Sequence, residues 1–211
     1  MRLLAIFLIA VPLAASCGRE PDTKAFAEAV SPTSVRSERF GITADKPEGW
    51  YALSEELQSA LVDGGAKVVS EGNDAVAGAV EAGMARTTQI FGVFKHEPGS
   101  PVEFNPNVLA IAENVKIAPG VKTGSDYFYQ FKKLATQTNA QYEFKDETTV
   151  KIGGRDFTRL DLTMSVAGQS ADQSYYAARM GDEMILLIQS YKTDAERAET
   201  EAIVQSVRFD K

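Results

Sequence analysis

One thiol, one imidazole and a scatter of carboxylates are the groups in this 211-residue chain whose chemistry reaches beyond packing. Cys17 is the only cysteine and His96 the only histidine. A single cysteine forms no intramolecular disulfide. A single histidine excludes metal sites built on a histidine pair and obliges any Ser-His-Asp triad to use that one imidazole. His96 stands where a strand pattern runs into a proline-rich loop, beside Glu97, and no G-x-S-x-G elbow supplies a nucleophile; we read it as an exposed loop histidine. Glu55/Glu56 and Asp146/Glu147 offer paired carboxylates. General acid-base work needs two environments converging on one pocket, which adjacency alone does not supply, so these are expected to be solvated charge. Gly64-Gly65-Ala66-Lys67 and Gly153-Gly154-Arg155 set glycines before a cation without the spacing or the Ser/Thr of a phosphate loop, and are expected to be turns. No catalytic residue, cofactor or metal site is assigned, and the expectation is a protein that is not an enzyme.

Cys17 stands in a context that gives its thiol a role. Arg2, the apolar run from Leu3 to Leu13 and the small residues Ala14-Ala15-Ser16 supply in order the positive start, apolar core and cleavage region of a secretory signal. Residues 1–16 are therefore expected to be removed. The run breaks at Pro12 and falls short of the roughly 20 apolar residues that cross a bilayer, which argues against a transmembrane anchor. Leu13-Ala14-Ala15-Ser16-Cys17 resembles the end of a bacterial lipoprotein signal. The resemblance implies that Cys17 is joined through its thiol to diacylglycerol and becomes an acylated amino terminus; several acyl chains anchor stably where one does not. Ordinary cleavage leaving a free thiol is the alternative, and Ala14 fits it as well. Gly18, rather than Asp, follows the cysteine, which by the same resemblance favours the outer membrane. The expected address is the bacterial envelope, lipid-anchored and facing the periplasm.

Lys and Arg number 22 against 29 Asp and Glu, a formal net charge of -7 that becomes one unit more negative when Arg2 leaves with the signal. That balance opposes nucleic acid and anionic lipid as partners, because phosphate neutralisation needs clustered cations. The length suits one domain with a sizeable core.

Residues 17–38 are polar and rich in small residues, with Pro21 and Pro32, and read as a lipidated tether; residues 39–211 read as one globular domain. A strand is expected near Arg39 to Thr43, followed by a turn at Asp45-Lys46-Pro47-Glu48-Gly49. Ser54 is expected to cap a helix, with Glu55 and Glu56 in its first turn and Leu57 and Leu61 four apart, which Gly64-Gly65 should interrupt or end. Val76, Val80 and Met84 have helix spacing within Asn73 to Ala85. Strands follow over Thr87 to Lys95 and Pro106 to Lys116, then a helix over Gly124 to Thr138 capped by Ser125. Leu160, Leu162, Met164 and Val166 alternate strictly with polar residues, which is the pattern of a half-buried strand. Gly153-Gly154 and Ala167-Gly168-Gln169 are hairpin turns around it, and Gly181-Asp182 opens a further strand. Met184 to Ile188 lacks polar alternation, so that strand should be covered on both faces, with helices on both sides of the sheet. Asp194 is expected to cap a last helix that turns Ala198, Ala202 and Ile203 inward.

Phe40-Gly41-Ile42-Thr43, Pro47-Glu48-Gly49-Trp50, the meander from Arg155 to Tyr191 and the ending Ala202-Ile203-Val204-Gln205-Ser206-Val207-Arg208-Phe209 resemble the PsbP-like and DcrB-like proteins. The resemblance spans residues 39–211. It implies an α+β fold, a largely antiparallel sheet flanked by helices on both faces, as an α/β/α sandwich. It also implies kinship with bacterial lipoproteins and with photosystem subunits that bind without catalysing. The segment from Leu53 to Arg86 is a helical insertion larger than the family suggests.

The expected function is that of a lipid-anchored, non-catalytic interaction or assembly module with an envelope protein as partner. The alternative is a carrier or sensor of a small apolar ligand, held by the Ala-rich helix and nearby aromatics; an enzyme with an unrecognised site is a third reading. Trp50, Tyr51, Tyr127 and Tyr129 are the candidate ligand or partner residues, since aromatic rings give large apolar area and tyrosine adds a polar tip. Packing of the same rings on the sheet is the competing reading.

Overall fold

The chain is seen here in a computed structural model that describes residues 28–31, 33–71 and 73–210. The signal segment 1–16, Cys17 and the tether up to residue 27 lie outside the described residues. Strand structure begins earlier than expected: β1 (Glu28–Ser31) pairs antiparallel with β2 (Ser34–Ser37), and β2 with β3 (Ile42–Asp45). The tether over residues 17–38 is thus corrected from residue 28 onward. Alternate residues of a strand face one side, and in β2 those are Val35 and Ser37, both buried. Of the strand expected over Arg39 to Thr43, residues 39–41 are the turn between β2 and β3, and Ile42 and Thr43 open β3.

After β4 (Tyr51–Ala52), α1 (Glu55–Ser70) starts at the Ser54 cap, whose hydroxyl accepts from the Leu57 amide. It runs through Gly64-Gly65 rather than ending there. Each glycine weakens a helix by about 1 kcal/mol relative to alanine, and burial of Ala66 with the half-buried Leu61 and Val68 against the sheet core carries the helix past them. α2 (Asp74–Met84) is capped by Asn73 and buries Val76 and Val80, the face its spacing predicts. β5 (Thr87–Phe94) and β6 (Asn107–Asn114) follow.

α3 (Gly124–Ala135) is capped by Thr123, not Ser125, in a reciprocal box with Asp126. The cap shifts because Gly124 lies against the sheet, where a Cβ would meet the Ala177 carbonyl oxygen at 2.6 Å. β7 (Gln141–Ile152), β8 (Arg155–Val166), β9 (Gln169–Met180) and β10 (Glu183–Tyr191) form the expected meander. Gly153 and Gly154 have φ of 55° and 80°, and Ala167 and Gly168 of 51° and 77°, as two-residue hairpins with positive φ at both positions require. α4 (Asp194–Gln205) is capped by Thr193 with Glu196 closing its box, not by Asp194, and it buries Thr200, Ile203 and Val204. Ala198 and Ala202 are exposed. The apolar stripe is rotated because Thr200 turns its hydroxyl back onto the Glu196 and Arg197 carbonyls and so tolerates the interior. β11 (Arg208–Phe209) pairs with β3.

The strands make a seven-stranded antiparallel sheet in the order β4-β5-β6-β10-β9-β8-β7 and a four-stranded sheet in the order β1-β2-β3-β11. The fold is α+β, as expected. α1, α2 and α3 cover the first face of the large sheet; α4 and the small sheet lie on the second. The first-face core includes Leu109, Phe128, Phe131, Leu160, Tyr175 and Ile188. The second holds Val35, Ile42, Trp50, Phe157, Tyr176 and Ile203. β10 is buried on both sides at the centre, which its unbroken apolar run requires.

Candidate functional site

The polar residues that alternate along β8 do not simply face water. On the second face, beyond the small sheet, Arg159 and Asp161 of β8 meet Ser174 and Tyr176 of β9, Gln189 and Tyr191 of β10, and Arg197 and Glu201 of α4. Period-two geometry puts the odd β8 positions and the even β9 positions on one side of the sheet, and the antiparallel register sets them side by side: Asp161 opposite Ser174, Arg159 opposite Tyr176. α4 brings the remaining charges from above.

Arg159 is the hub. Its Nε donates to Asp161 Oδ1 at 2.8 Å, its Nη2 to Ser174 Oγ at 3.3 Å, and its Nη1 stands 3.8 Å from Glu201 Oε2. The guanidinium lies over the Tyr176 ring, 5.5 Å from its centroid. Tyr176 donates its hydroxyl proton to Glu201 Oε2 at 2.6 Å, and Gln189 Nε2 donates to the same oxygen at 3.1 Å. Arg197 reaches Asp161 at 4.0 Å and covers the Tyr191 ring. The Ser174 and Tyr191 hydroxyls are 3.3 Å apart.

The electrostatics hold these groups charged. Burial pushes the Asp161 carboxyl up, but hydrogen bonds from Arg159 and Ser174 with the charges of Arg159 and Arg197 outweigh it, leaving the pKa below its ordinary value. Burial likewise works against Glu201, and donation from Tyr176, Gln205 and Gln189 with the Arg159 charge again wins. For Arg159, desolvation is overcome by Asp161, Tyr176 and Glu201, and its pKa rises. Burial and the Glu201 carboxylate raise the Tyr176 phenol far above its usual range. Proton transfer near neutral pH needs a group poised between two states; here Asp161, Glu201, Arg159 and Tyr176 are each held in one. The arrangement is suited to presenting fixed charge and directional hydrogen bonds.

The four aromatic candidates do not form one surface. Trp50 is buried in the second-face core and Tyr127 in the first-face core. Tyr127 is interior because its hydroxyl donates to the buried Glu113 carboxylate at 2.7 Å, and Arg86 stands 3.8 Å from that carboxylate. Tyr51 is exposed on β4, at one edge of the large sheet, and Tyr129 is exposed on α3, which packs near the other. His96 is half-exposed in its loop, where its backbone is bracketed by the Asn105 side chain. Among the described residues, no group of three or more His, Cys, Asp or Glu is placed to hold a metal ion.

The sequence marked Arg159 and Asp161 only as outward positions of a strand. Their convergence with Glu201, about 40 residues away, has no local signal.

With the topology in view, the chain can be set beside solved structures. It is similar to the cyanobacterial PsbP (CyanoP) of Synechocystis sp. PCC 6803, with a TM-score of 0.53 at 14% identity, covering 93% of this chain and 98% of that one. It also aligns with a protein from Bacteroides thetaiotaomicron (TM-score 0.48, 10% identity, 85% and 48% coverage). A third alignment is with LpqN, involved in cell envelope biogenesis of Mycobacterium tuberculosis (TM-score 0.43, 13% identity, 81% and 83% coverage). The first similarity defines the class of fold, and the chain has a PsbP-like fold. No protein-family model and no curated protein sequence matches the chain.

Proposed function

We propose that this chain is a lipid-anchored, non-catalytic envelope protein whose second sheet face is an interaction or assembly surface for another envelope protein. The observation that carries the reading is the Arg159 network: charged groups fixed in paired form on a sheet face that α4 covers only in part. Fixed charges and aligned donors give specificity and register to a protein contact. The signal-like segment and Cys17 support anchorage at the bilayer, and the non-catalytic character of the reading rests on the absence of a poised acid, base or nucleophile in the network described above.

Two experiments test it. A photoreactive residue at Ser165, beside the network on β8, should crosslink one discrete protein in intact cells, and Arg159→Met should remove that product. The same probe at Tyr129, on the opposite face, should not give it; equal products from both positions would sink the assignment of the face. Mass spectrometry of the protein from its own membranes should show acyl chains on Cys17, and Cys17→Ser should leave the protein unanchored. An unmodified Cys17 would remove the anchor from the proposal.

A further inference from the structure

The two ends of the large sheet differ. At one end β4 is 2 residues long; at the other β7 runs for 12, and among the described residues it pairs only with β8. An edge strand presents unpaired N–H and C=O groups to any chain that can lie beside it, and proteins blunt such edges with bulges and charges. β7 is bulged only in its first half: the register against β8 shifts between Phe144 and Glu147, and Lys145 and Asp146 have no partner on β8. From Glu147 to Ile152 the strand is regular and holds no proline or glycine, and Thr148, Thr149 and Lys151 are exposed.

The hairpin fixes which backbone groups this second half turns outward. Ile152 and Arg155 close the two-residue turn as a hydrogen-bonded pair, and such pairs alternate along an antiparallel ladder. Val150 and Thr148 therefore bond inward to β8, while Glu147, Thr149 and Lys151 direct their N–H and C=O groups to the open edge. When these residues are set antiparallel against a second copy of themselves, only the register centred on Thr149 puts unlike charges opposite each other. Glu147 of each copy then faces Lys151 of the other, and Thr148 meets Val150, a favourable β-branched pair. Centring on Glu147 or on Lys151 would oppose like charges. Within each copy Lys132 of α3 donates to Glu147 at 2.7 Å and Lys151 to Asp156 at 2.6 Å, so the joint reads Lys132, Glu147, Lys151, Asp156 in alternating sign. The helix above the edge agrees. Tyr129 lies one turn before Lys132 on the same side of α3, and it is 66% exposed, more than any other large apolar side chain among the described residues.

We propose that this half of β7 is a self-association edge, through which two copies of the chain pair antiparallel over Glu147 to Lys151 about a two-fold axis beside Thr149. The axis stands perpendicular to the sheet, so the two large sheets become one continuous sheet with α3 of both copies on the same face and Tyr129 of each near the joint. The charged pair disfavours a generic strand and suits the chain's own copy. This edge is separate from the protein contact proposed on the second face, and either can fail without the other.

The test is a covalent trap in the full-length protein in its own membranes. The Cα atoms of a hydrogen-bonded antiparallel pair lie about 5.5 Å apart, within disulfide reach, so Thr149→Cys should give a covalent dimer on mild oxidation. Lys145→Cys, at the bulge and roughly 27 Å from its counterpart in this register, should give none, with Cys17 present alike in both. Adding Glu147→Lys to Thr149→Cys should cut the dimer about tenfold, because two attractive pairs become repulsive, and adding Lys151→Glu as well should restore it. That restoration separates lost pairing from a fold damaged by the first reversal. No dimer at Thr149, equal dimer at Lys145, indifference to Glu147→Lys, no recovery in the double reversal, or a product with a different protein would each overturn the proposal.

Discussion

Tyr175 and Tyr176 are consecutive residues of one strand, both fully buried, and they meet opposite fates. Tyr176 faces α4, where Glu201 accepts its proton and Arg159 lies over its ring. Tyr175 faces α3, where Phe131 stacks on it at 5.4 Å and Phe128 lies tilted at 6.5 Å, and among the described residues no polar group answers its hydroxyl. The strand treats the two alike; the covering helix decides. A buried phenol adds to stability when the helix above brings an acceptor, and subtracts from it when the helix brings rings.

That contrast can be broken most forcefully at its apolar end. Phe131→Ala removes the ring that Tyr175, Tyr142 and Phe144 all pack against, and we expect a loss of about 3–5 kcal/mol in urea unfolding. A loss under about 1 kcal/mol would mean that this layer collapses around the cavity and is far softer than its packing suggests.

On the polar side, Arg159→Met leaves Asp161 and Glu201 without their shared cation, and about 2 kcal/mol should be lost, less than for a fully dry pair because water reaches both carboxylates. Tyr176→Phe is expected to cost about 1.5 kcal/mol, the usual size for a hydrogen bond to a charged group. Measured by the same unfolding curves, the two should be non-additive, since both act through Glu201.

Acid offers a gentler probe. Asp161 and Glu201 have folded pKa values below their ordinary ones, so the unfolded chain binds protons first as pH falls. Their contribution to stability is present above about pH 4 and is lost as pH drops through the folded values. The urea midpoint should therefore decline between about pH 5 and 2, and Glu201→Gln should make that decline shallower; an unchanged slope would remove Glu201 from the acid response. The smallest expected effect completes the contrast: Tyr175→Phe should change stability by about 0.5 kcal/mol or less, or raise it, where the neighbouring Tyr176→Phe lowers it.

Periodicity carried most of the architecture. The alternation in β8 and the unbroken apolar run in β10 predicted a meander with a doubly covered strand, because strand geometry alone fixes which side each residue faces. The small sheet was hidden because β1 and β2 are four residues each and their sequences mix polar and apolar residues; antiparallel pairing, β1 with β2 and β2 with β3, rather than local pattern makes them strands. The caps were visible in retrospect. Thr123 and Thr193 each precede an acidic residue by three, and that reciprocal pattern outweighs the nearer Ser125 and Asp194. The Arg159 network was half visible, as polar positions of a strand whose partner on α4 only the tertiary fold brings near. The burial of Gln173 and Tyr175 could not be marked at all, since a polar residue in a buried strand looks no different in sequence from one facing water.

The early start of β1 changes the mechanics of the proposed anchorage. The described structure starts at Glu28, about ten residues after Cys17, and that many residues can reach no farther than about 35 Å. An acylated Cys17 would hold the domain on a short leash, attached beside the small sheet. Encounters with a membrane neighbour would then be a search in two dimensions within a few nanometres of the bilayer. Local concentrations there reach the millimolar range, so a contact too weak to survive in dilute solution can still be occupied.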